Sequence, residues 1–189
     1  MSARKIHTLC GKDIDLVEIS PTFFDVIIEW RNDPDINKYF ITRDAFSQEQ
    51  QARWYAKYVQ DETDMTFMIV SKAGIVLGMA GLYNIDKQGR TAEFGRLLIG
   101  AKKYRGSGFG KEACRMLLKL AFETLNLKQV YLSVYDWNVK AVGLYDALGF
   151  RIEKKMLLGE ENGKKQSTYK MVLHSTRWQA STASGSGGG

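Results

Sequence analysis

A glycine-rich segment between a strand and an amphipathic helix is the feature that most constrains this 189-residue chain. The apolar stretch 91–99 (TAEFGRLLI) predicts a strand, and 105–110 (RGSGFG) supplies three glycines in six residues. From Lys111 onward the apolar residues recur with helical spacing. The first amides of a helix have no intrahelical acceptor and carry the positive end of the helix dipole. The segment therefore predicts an anion site suited to phosphate.

Two common nucleotide motifs do not match this segment. A P-loop needs Ser or Thr after Gly110-Lys111, where the chain has Glu112, and a glycine in place of Arg105. A dinucleotide fingerprint needs a third glycine where Lys111 stands. The pattern that fits is Arg/Gln-x-x-Gly-x-Gly/Ala, with Arg105, Gly108 and Gly110. An ordinary glycine-rich turn fits these six residues equally well, so the rest of the chain must decide.

Composition excludes several classes of function. No apolar run approaches the roughly 18 residues of a membrane helix, and Cys10 and Cys114 are too few and too distant for a disulfide framework, which predicts a cytoplasmic protein. With only His7 and His174 in addition, no metal site is expected. The net charge is +6, but the basic residues are not interleaved with aromatic ones, so no nucleic-acid partner is expected.

The periodicity along the chain predicts the element order β-α-α-β-β-β-α-β-α-β-β. This order is typical of an α/β fold with a mixed central sheet. One domain is expected over residues 1–176. The tail 177–189 is expected to be disordered because 181–189 (STASGSGGG) lacks packing residues, and its last five residues are of the kind that cloning leaves behind.

A second motif comes after the strand predicted at 129–135. Residues 138–150 read N-x-x-A-x-x-L-Y-x-x-L-G-F, with Asn138 at the start, Tyr145 within a helix and Gly149-Phe150 at its end. The two motifs, in this order and separated by a strand, resemble the GNAT superfamily of acyl-CoA-dependent N-acyltransferases. The resemblance extends over about residues 12–173. It implies the GNAT fold, with a mixed, mostly antiparallel sheet of about six or seven strands flanked by about four helices.

The resemblance also implies the cosubstrate, acetyl-CoA. In the family the glycine-rich loop wraps the pyrophosphate of coenzyme A, and the end of the preceding strand binds the pantetheine arm and supplies the oxyanion donor, here the amide of Leu98 or Ile99. The residues expected to bind acetyl-CoA are Leu97, Leu98, Ile99, Arg105, Gly106, Ser107, Gly108, Phe109, Gly110, Lys111, Asn138 and Lys140. Asn138 could equally be the N-cap of its helix.

Acetyl transfer by direct attack in a ternary complex needs a proton acceptor and a proton donor. A primary amine with a pKa near ~10 is mostly protonated at pH 7, so a base must take its proton. Glu93 is the candidate base; alternatively it is an ion-pair partner of Arg96 or of a lysine, although strand alternation places Glu93 and Arg96 on opposite faces. Tyr145 matches the general acid that protonates the departing thiolate in the family; alternatively it is a core tyrosine.

The amine acceptor is expected to be a small molecule bound by the first two helices, as in the family. The segment 29–40 resembles the Trp-Arg-Asn segment of nucleotide-linked amino-sugar N-acetyltransferases, which implies a nucleotide-linked amino sugar as the acceptor. Similar segments occur in the branch that acetylates ribosomal-protein N-termini, so a protein N-terminal α-amine is an alternative. A polyamine or drug amine is a further alternative, as is a non-catalytic CoA-binding sensor. A monomer or homodimer is expected. The predicted acceptor-binding residues are Trp30, Arg31, Asn32, Tyr39, Phe40 and Tyr83; a buried aromatic cluster is the alternative for them.

Overall fold

The computed structural model describes residues 8–40, 45–161 and 164–183. Its strands are β1 (Thr8–Cys10), β2 (Ile14–Glu18), β3 (Met65–Ser71), β4 (Val76–Asp86), β5 (Thr91–Ile99), β6 (Gln129–Tyr135), β7 (Arg151–Glu161) and β8 (Lys164–His174). Its α-helices are α1 (Phe24–Asn32), α2 (Pro34–Asn37), α3 (Gln48–Tyr58), α4 (Phe109–Lys119), α5 (Val139–Ala147) and α6 (Ser175–Ala183).

The strands lie in the order β1-β2-β3-β4-β5-β6-β8-β7. The β1–β2, β2–β3, β6–β8 and β7–β8 pairs are antiparallel, whereas β5 and β6 are parallel. The predicted α/β class with a mixed, mostly antiparallel sheet is confirmed. The described residues contain eight strands and six α-helices, more than the sequence predicted. The additional elements are β1 and α2, which have three and four residues, and α6, which lies partly in the tail that was expected to be disordered.

The chain divides into two compact units. Unit 1 contains Met1–Gly81 and Arg96–Cys114, and unit 2 contains Leu82–Gly95 and Arg115–Gly189. The prediction of one domain over 1–176 stays a prediction. Among the described residues, none of the helices combines the length and the apolar character needed to cross a bilayer.

In unit 1, helices α1 to α3 bury an apolar cluster against β3 and β4. Helix α3 begins with a capping box in which Ser47 and Gln50 bond each other's backbone amides. The pair Ser20-Pro21 is typical of a helix start, yet Ser20 makes no capping bond; its hydroxyl lies 2.7 Å from that of Thr22. The buried members of the cluster are Ile19, Ile27, Trp30, Ile36, Tyr58, Met68 and Met79.

In unit 2, the C-terminal helix packs on the helical segment that continues α4. This segment is a single π turn, Leu120–Thr124, and the ring of its Phe122 lies 6.0 Å from that of Trp178 in α6. Trp178 is buried by this contact. The expectation of a disordered tail is therefore wrong for residues 177–183, and residues 184–189 lie outside the described part of the chain.

Candidate functional site

The glycine-rich loop in unit 1 has the backbone that the sequence predicts. Gly106 and Gly108 adopt φ of +81° and +88°, the left-handed region that glycine tolerates best. A Cβ at either position would meet no atom within 4 Å, so the space in front of the loop is open. Helix α4 begins at Phe109, and its first amides have no intrahelical acceptor. A bare backbone with amide donors and open space beside it fits a diphosphate.

The charged side chains of this segment divide into loop supports and exposed cations. Arg105 folds back, and its Nε donates to the Ile99 carbonyl at 2.9 Å, so it fixes the loop to the end of β5. Lys111 is exposed. Lys102 is bound to Asp33 at 3.0 Å and to Asp35 at 3.6 Å. The hydrogen bond from Lys102 lowers the pKa of Asp33.

Glu112 explains why this loop is not a P-loop. Its Oε1 accepts the backbone amides of Lys12 and Asp13 at 2.7 and 2.9 Å. The carboxylate in the first turn of α4 therefore ties the β1–β2 turn to the helix, where a P-loop would carry a metal-binding hydroxyl. Anion binding at this end of α4 therefore depends on main-chain amide donors and on the helix dipole.

The last residues of β5 lie against the start of α4. The side chains of Leu97 and Ile99 come within ordinary contact distance of a Cβ placed on Gly110, so both face α4. Leu98 packs on the opposite side, against the apolar cluster of unit 1. Strand alternation over these three residues is as the sequence predicts.

In unit 2, Glu93 is the centre of a polar cluster. Its Oε1 accepts the Tyr83 hydroxyl at 3.1 Å, and its Oε2 accepts Asn84 Nδ2 at 3.0 Å. Burial, and next the charge of Glu93, raise the pKa of Tyr131. Arg96, the alternative partner of Glu93, is instead paired with Asp64 at 2.6 Å. The ion-pair alternative with Arg96 is therefore wrong, and Tyr83 contacts the predicted base.

Sequence reasoning missed Asn84 and Tyr131 as neighbours of Glu93. Asn84 has a φ of +51°, and its amide bonds the carboxylate. The signal available was an Asn inside an otherwise apolar strand, since Asn is enriched at positive φ. Tyr131 reaches Glu93 through the β5–β6 register, which no local pattern encodes.

Glu93 also marks the point where β5 and β6 separate. Their parallel pairing covers Thr91–Gln129 to Glu93–Tyr131, while β5 continues to Ile99 and β6 continues to Tyr135.

Tyr145 lies beside the same strand, on the face opposite Glu93. Its ring makes edge contacts with Phe94 and Phe150, each at 5.9 Å between centroids, and it is 8% exposed. Phe94 comes directly after Glu93 in β5, so the two side chains point to opposite faces. The ring of Tyr145 is therefore a core residue, as the alternative stated. The role of its hydroxyl as the general acid remains a prediction.

Asn138 and Lys140 lie at the start of α5. Asn138 Oδ1 accepts the Ala141 amide at 3.3 Å, so its N-cap role is observed. Lys140 is exposed. Their contacts with acetyl-CoA remain a prediction.

The residues of unit 1 that were predicted to bind the acceptor are partly core or structural residues and partly exposed. Trp30 is 6% exposed and its ring lies against Gly100, so it is a core residue and no substrate ring can stack on it. Asn32 exchanges two hydrogen bonds of 2.8 Å with the backbone of Phe46 and is thus structural. Tyr39 is 47% exposed and lies 5.4 Å from Lys38 Nζ.

Arg31 is a cation held between aromatic rings. Its guanidinium lies 4.1 Å from the ring centre of Phe40 and 5.0 Å from that of Phe46. Burial lowers its pKa, yet a guanidinium is so basic that it stays charged at neutral pH. Phe40 therefore supports Arg31 and is no independent stacking surface.

Comparison with known proteins agrees with this geometry. The family profile described as "Acetyltransferase (GNAT) domain" matches residues 14–151. The spermidine N(1)-acetyltransferase of Vibrio cholerae is 29% identical over 149 residues, 78% of this chain and 84% of that protein. The acetyltransferase PseH of Campylobacter jejuni is 28% identical over 138 residues, which are 73% of this chain and 83% of that protein.

Among solved structures, spermidine N-acetyltransferase from Vibrio cholerae in complex with CoA and spermine superposes with a TM-score of 0.82. The match is 26% identical and covers 89% of this chain and 99% of that one. The profile covers well over half of this chain. The chain therefore belongs to the GNAT family and is an acetyl-CoA-dependent N-acetyltransferase.

Proposed function

We propose that the chain acetylates a primary amine by direct attack, with Glu93 as base and Tyr145 as acid. The observation that carries this proposal is the position of Glu93 at the last β5–β6 pair, with Phe94 and Tyr145 on the other face of β5. Acetyl-CoA supplies the thioester. Glu93 takes the proton of the attacking nitrogen, the new C–N bond replaces the C–S bond, and the Tyr145 hydroxyl gives its proton to the departing sulfur.

The pairing of Glu93 with Tyr83 and Asn84 supports the base role. Both carboxylate oxygens accept a hydrogen bond, so the side chain is oriented before the amine arrives. Preorganised groups lower the reorganisation needed during reaction. The Tyr83 ring beside the carboxylate also suits an ammonium group, which is attracted to aromatic faces. The Tyr131 ring already lies 5.3 Å from Lys170 Nζ.

Replacing Glu93 with glutamine is expected to lower kcat/KM about 100-fold at pH 7, the size typical of losing a general base. The deficit should shrink as the pH approaches ~10, because the free amine then loses its proton unaided. A pH–rate profile from about pH 6.5 to 10 measures this. Glu123→Gln, which removes an exposed carboxylate of unit 2, is the matched control. A deficit equal at every pH would mean that Glu93 is structural.

If the glycine-rich loop binds acetyl-CoA, Gly108→Ala should weaken that binding. Alanine at φ +88° costs about 1–2 kcal/mol, so the backbone shifts and KM for acetyl-CoA should rise roughly 10-fold with kcat little changed. Gly74→Ala is the matched control, since Gly74 has a φ of +79° and open space in the β3–β4 turn. Initial-rate kinetics with varied acetyl-CoA compares them; equal KM values in both variants would contradict the proposed loop.

For the acceptor we propose a nucleotide-linked amino sugar. Charge supports this choice. Several of the described acids on the first helices, on β2 and just before β3 already have partners. Asp33 and Asp35 pair with Lys102, Asp64 pairs with Arg96, and Glu18 accepts the Tyr58 hydroxyl. The chain carries a net charge of +6 and holds the Arg31 cation among rings. An anionic acceptor is attracted by such a surface, whereas a polycation is repelled.

A polyamine is the second candidate, favoured by the relatives. Spermidine N-acetyltransferases are among the proteins similar in sequence and structure to this chain. The Glu93 carboxylate and the Tyr83 ring beside it suit the ammonium group of either acceptor.

A thiol-release assay with acetyl-CoA separates the acceptors. A UDP-linked 4-amino sugar, spermidine and a peptide with a free N-terminus are tested in parallel at equal concentration. We expect kcat/KM for the nucleotide sugar to exceed that for spermidine at least about 10-fold, since the charge of the acceptor sets its attraction to the surface. Turnover of spermidine alone would replace the proposed acceptor with a polyamine, and turnover of the peptide alone would indicate a protein α-amine.

Assembly as a monomer or homodimer stays a prediction for this chain. The alternative is a larger assembly, since one solved Vibrio cholerae spermidine N-acetyltransferase is described as dodecameric. Light scattering on the purified chain, with a subunit mass of 21.4 kDa, distinguishes these states.

A further inference from the structure

In unit 2, a lysine of β8 lies next to the polar cluster around Glu93. Lys170 Nζ lies 5.3 Å from the ring centre of Tyr131 and 2.7 Å from Glu153 Oε2. Tyr131 is the residue paired with Glu93 in the parallel β5–β6 register. Residues directly opposite each other in neighbouring strands have side chains on the same face of the sheet. The Glu93 carboxylate, the Tyr131 ring and the Lys170 ammonium therefore lie on one face.

These groups form a row of alternating charge across four neighbouring strands. The strand order β5-β6-β8-β7 gives the Glu93 carboxylate first, then the Tyr131 ring, the Lys170 ammonium and the Glu153 carboxylate. Neighbouring strands are ~4.8 Å apart, so β8 runs ~10 Å from β5 and β7 runs ~14 Å from it. Of the two charges in the Lys170–Glu153 pair, the cation is therefore the one on the strand nearer to the predicted base.

The Tyr131 phenol lies within reach of both charges. Burial, and next the charge of Glu93, raise its pKa, whereas the charge of Lys170 acts in the opposite direction. The ring of Tyr131 already contacts a cation of the chain itself. A second ammonium from a ligand would meet a like charge beside this ring, and such juxtapositions are unfavourable.

Lys170 is held in place and yet accessible. Its side chain is 29% exposed, and the Tyr131 ring and the Glu153 carboxylate fix the position of its ammonium. An ammonium has three N–H donors and the bond to Glu153 uses one of them, so the same group can also donate to an oxyanion. A preoriented cation of this kind suits a phosphate or a carboxylate.

We infer that Lys170 is a specificity-determining residue, which binds an anionic group of the acceptor while Glu93 takes the amine. The inference rests on the proposed role of Glu93 as base. In a nucleotide-linked amino sugar, one sugar ring separates the amine from the diphosphate, and the two strand spacings between β5 and β8 leave room for that ring. A polyamine would instead bring a second ammonium toward Lys170, where like charges repel. The same cation therefore favours the first acceptor and disfavours the second.

The test removes the charge of Lys170 and follows two acceptors of opposite charge in the thiol-release assay. In Lys170→Met we expect kcat/KM for the UDP-linked 4-amino sugar to fall about 10-fold, the size of a lost hydrogen bond to a charged group. We expect kcat/KM for spermidine to rise about 3-fold, because a like charge is removed. Both changes should be in the KM for the acceptor, with KM for acetyl-CoA unchanged. Lys170→Arg keeps the charge and should recover most of the wild-type preference.

Lys155 in β7 provides the matched control. Its Nζ makes the same two kinds of contact, at 2.8 Å from Asp136 Oδ2 and 5.7 Å from the ring centre of Tyr169. Lys155 is paired with Tyr169, which is paired with Val134, three residues after Tyr131 in β6 and so on the other face of the sheet. Lys155→Met should change the melting temperature about as much as Lys170→Met, but each kcat/KM by less than about 2-fold.

The outcomes separate this inference from the proposed acceptor. If the preference for the nucleotide sugar over spermidine changes no more in Lys170→Met than in Lys155→Met, Lys170 does not select the acceptor and the inference is overturned. If the wild-type chain acetylates spermidine alone, the proposed acceptor is wrong. A rise in kcat/KM for spermidine in Lys170→Met would then still support charge selection by Lys170, and an unchanged value would overturn it.

Discussion

Replacing Tyr145 with phenylalanine is expected to lower kcat about 100- to 1,000-fold while leaving the binding of CoA within about 3-fold of the wild-type value. The loss has the size of a general acid, because an unprotonated thiolate is a poorer leaving group than a thiol with a pKa near ~8.5. The edge contacts of the ring with Phe94 and Phe150 do not involve the hydroxyl, so phenylalanine preserves them. The fold should therefore survive the change.

Three measurements make this prediction specific. Thiol release under saturating acetyl-CoA gives kcat, calorimetry with CoA gives the dissociation constant, and thermal unfolding gives the melting temperature. Tyr169→Phe in β8, whose ring lies beside Lys155, is the control for loss of a tyrosine hydroxyl in unit 2. Full turnover in Tyr145→Phe would show that water or another group protonates the sulfur, and the acid would have to be sought elsewhere on β5 or α5.

The second large effect is on stability, from Gly78→Ala. A Cβ at this position would lie 1.9 Å from the Leu98 carbonyl oxygen and 2.9 Å from its carbon. These are backbone atoms that no rotamer change can move, so β4 and β5 must separate locally. We expect a loss of about 3 kcal/mol in the free energy of unfolding, at the upper end of overpacking effects. The melting temperature should fall by roughly 6–12 °C for a chain of this length.

Gly143 offers the matched control for Gly78. It lies inside α5, and a Cβ there would meet no atom within 4 Å. Gly143→Ala should be neutral or stabilising by about 0.5–1 kcal/mol, since alanine favours helix more than glycine. Denaturant unfolding of both variants compares them. A Gly78→Ala protein as stable as the wild-type chain would show that β4 and β5 are less closely packed than the structure describes.

Local signals predicted the parts of the site that depend on a few consecutive residues. The loop glycines at 106 and 108 adopt positive φ, Gly149 ends α5 at +98°, and Asn138 caps the same helix. Each of these features is a hydrogen bond or a dihedral preference within about four residues, so the sequence contains all of the information needed. The family resemblance came from the same local features.

The partners of individual side chains could not be predicted in this way. Trp30 is buried against Gly100, Lys102 is bound to Asp33, and Glu93 is bonded by Asn84. Alternation along β5 correctly separated Glu93 from Arg96, but it gave no sign of the positive φ of Arg96 or of Asp64 as its partner.

The sequence by itself thus determined the strand, the phosphate-suited loop, the helix after it and the motif ending at Phe150. Only the tertiary structure decided which carboxylate lies where β5 and β6 separate and which aromatic rings are core. The physical reason is distance along the chain: Arg96 and Asp64 are 32 residues apart, and such contacts depend on strand register and packing that no short pattern records.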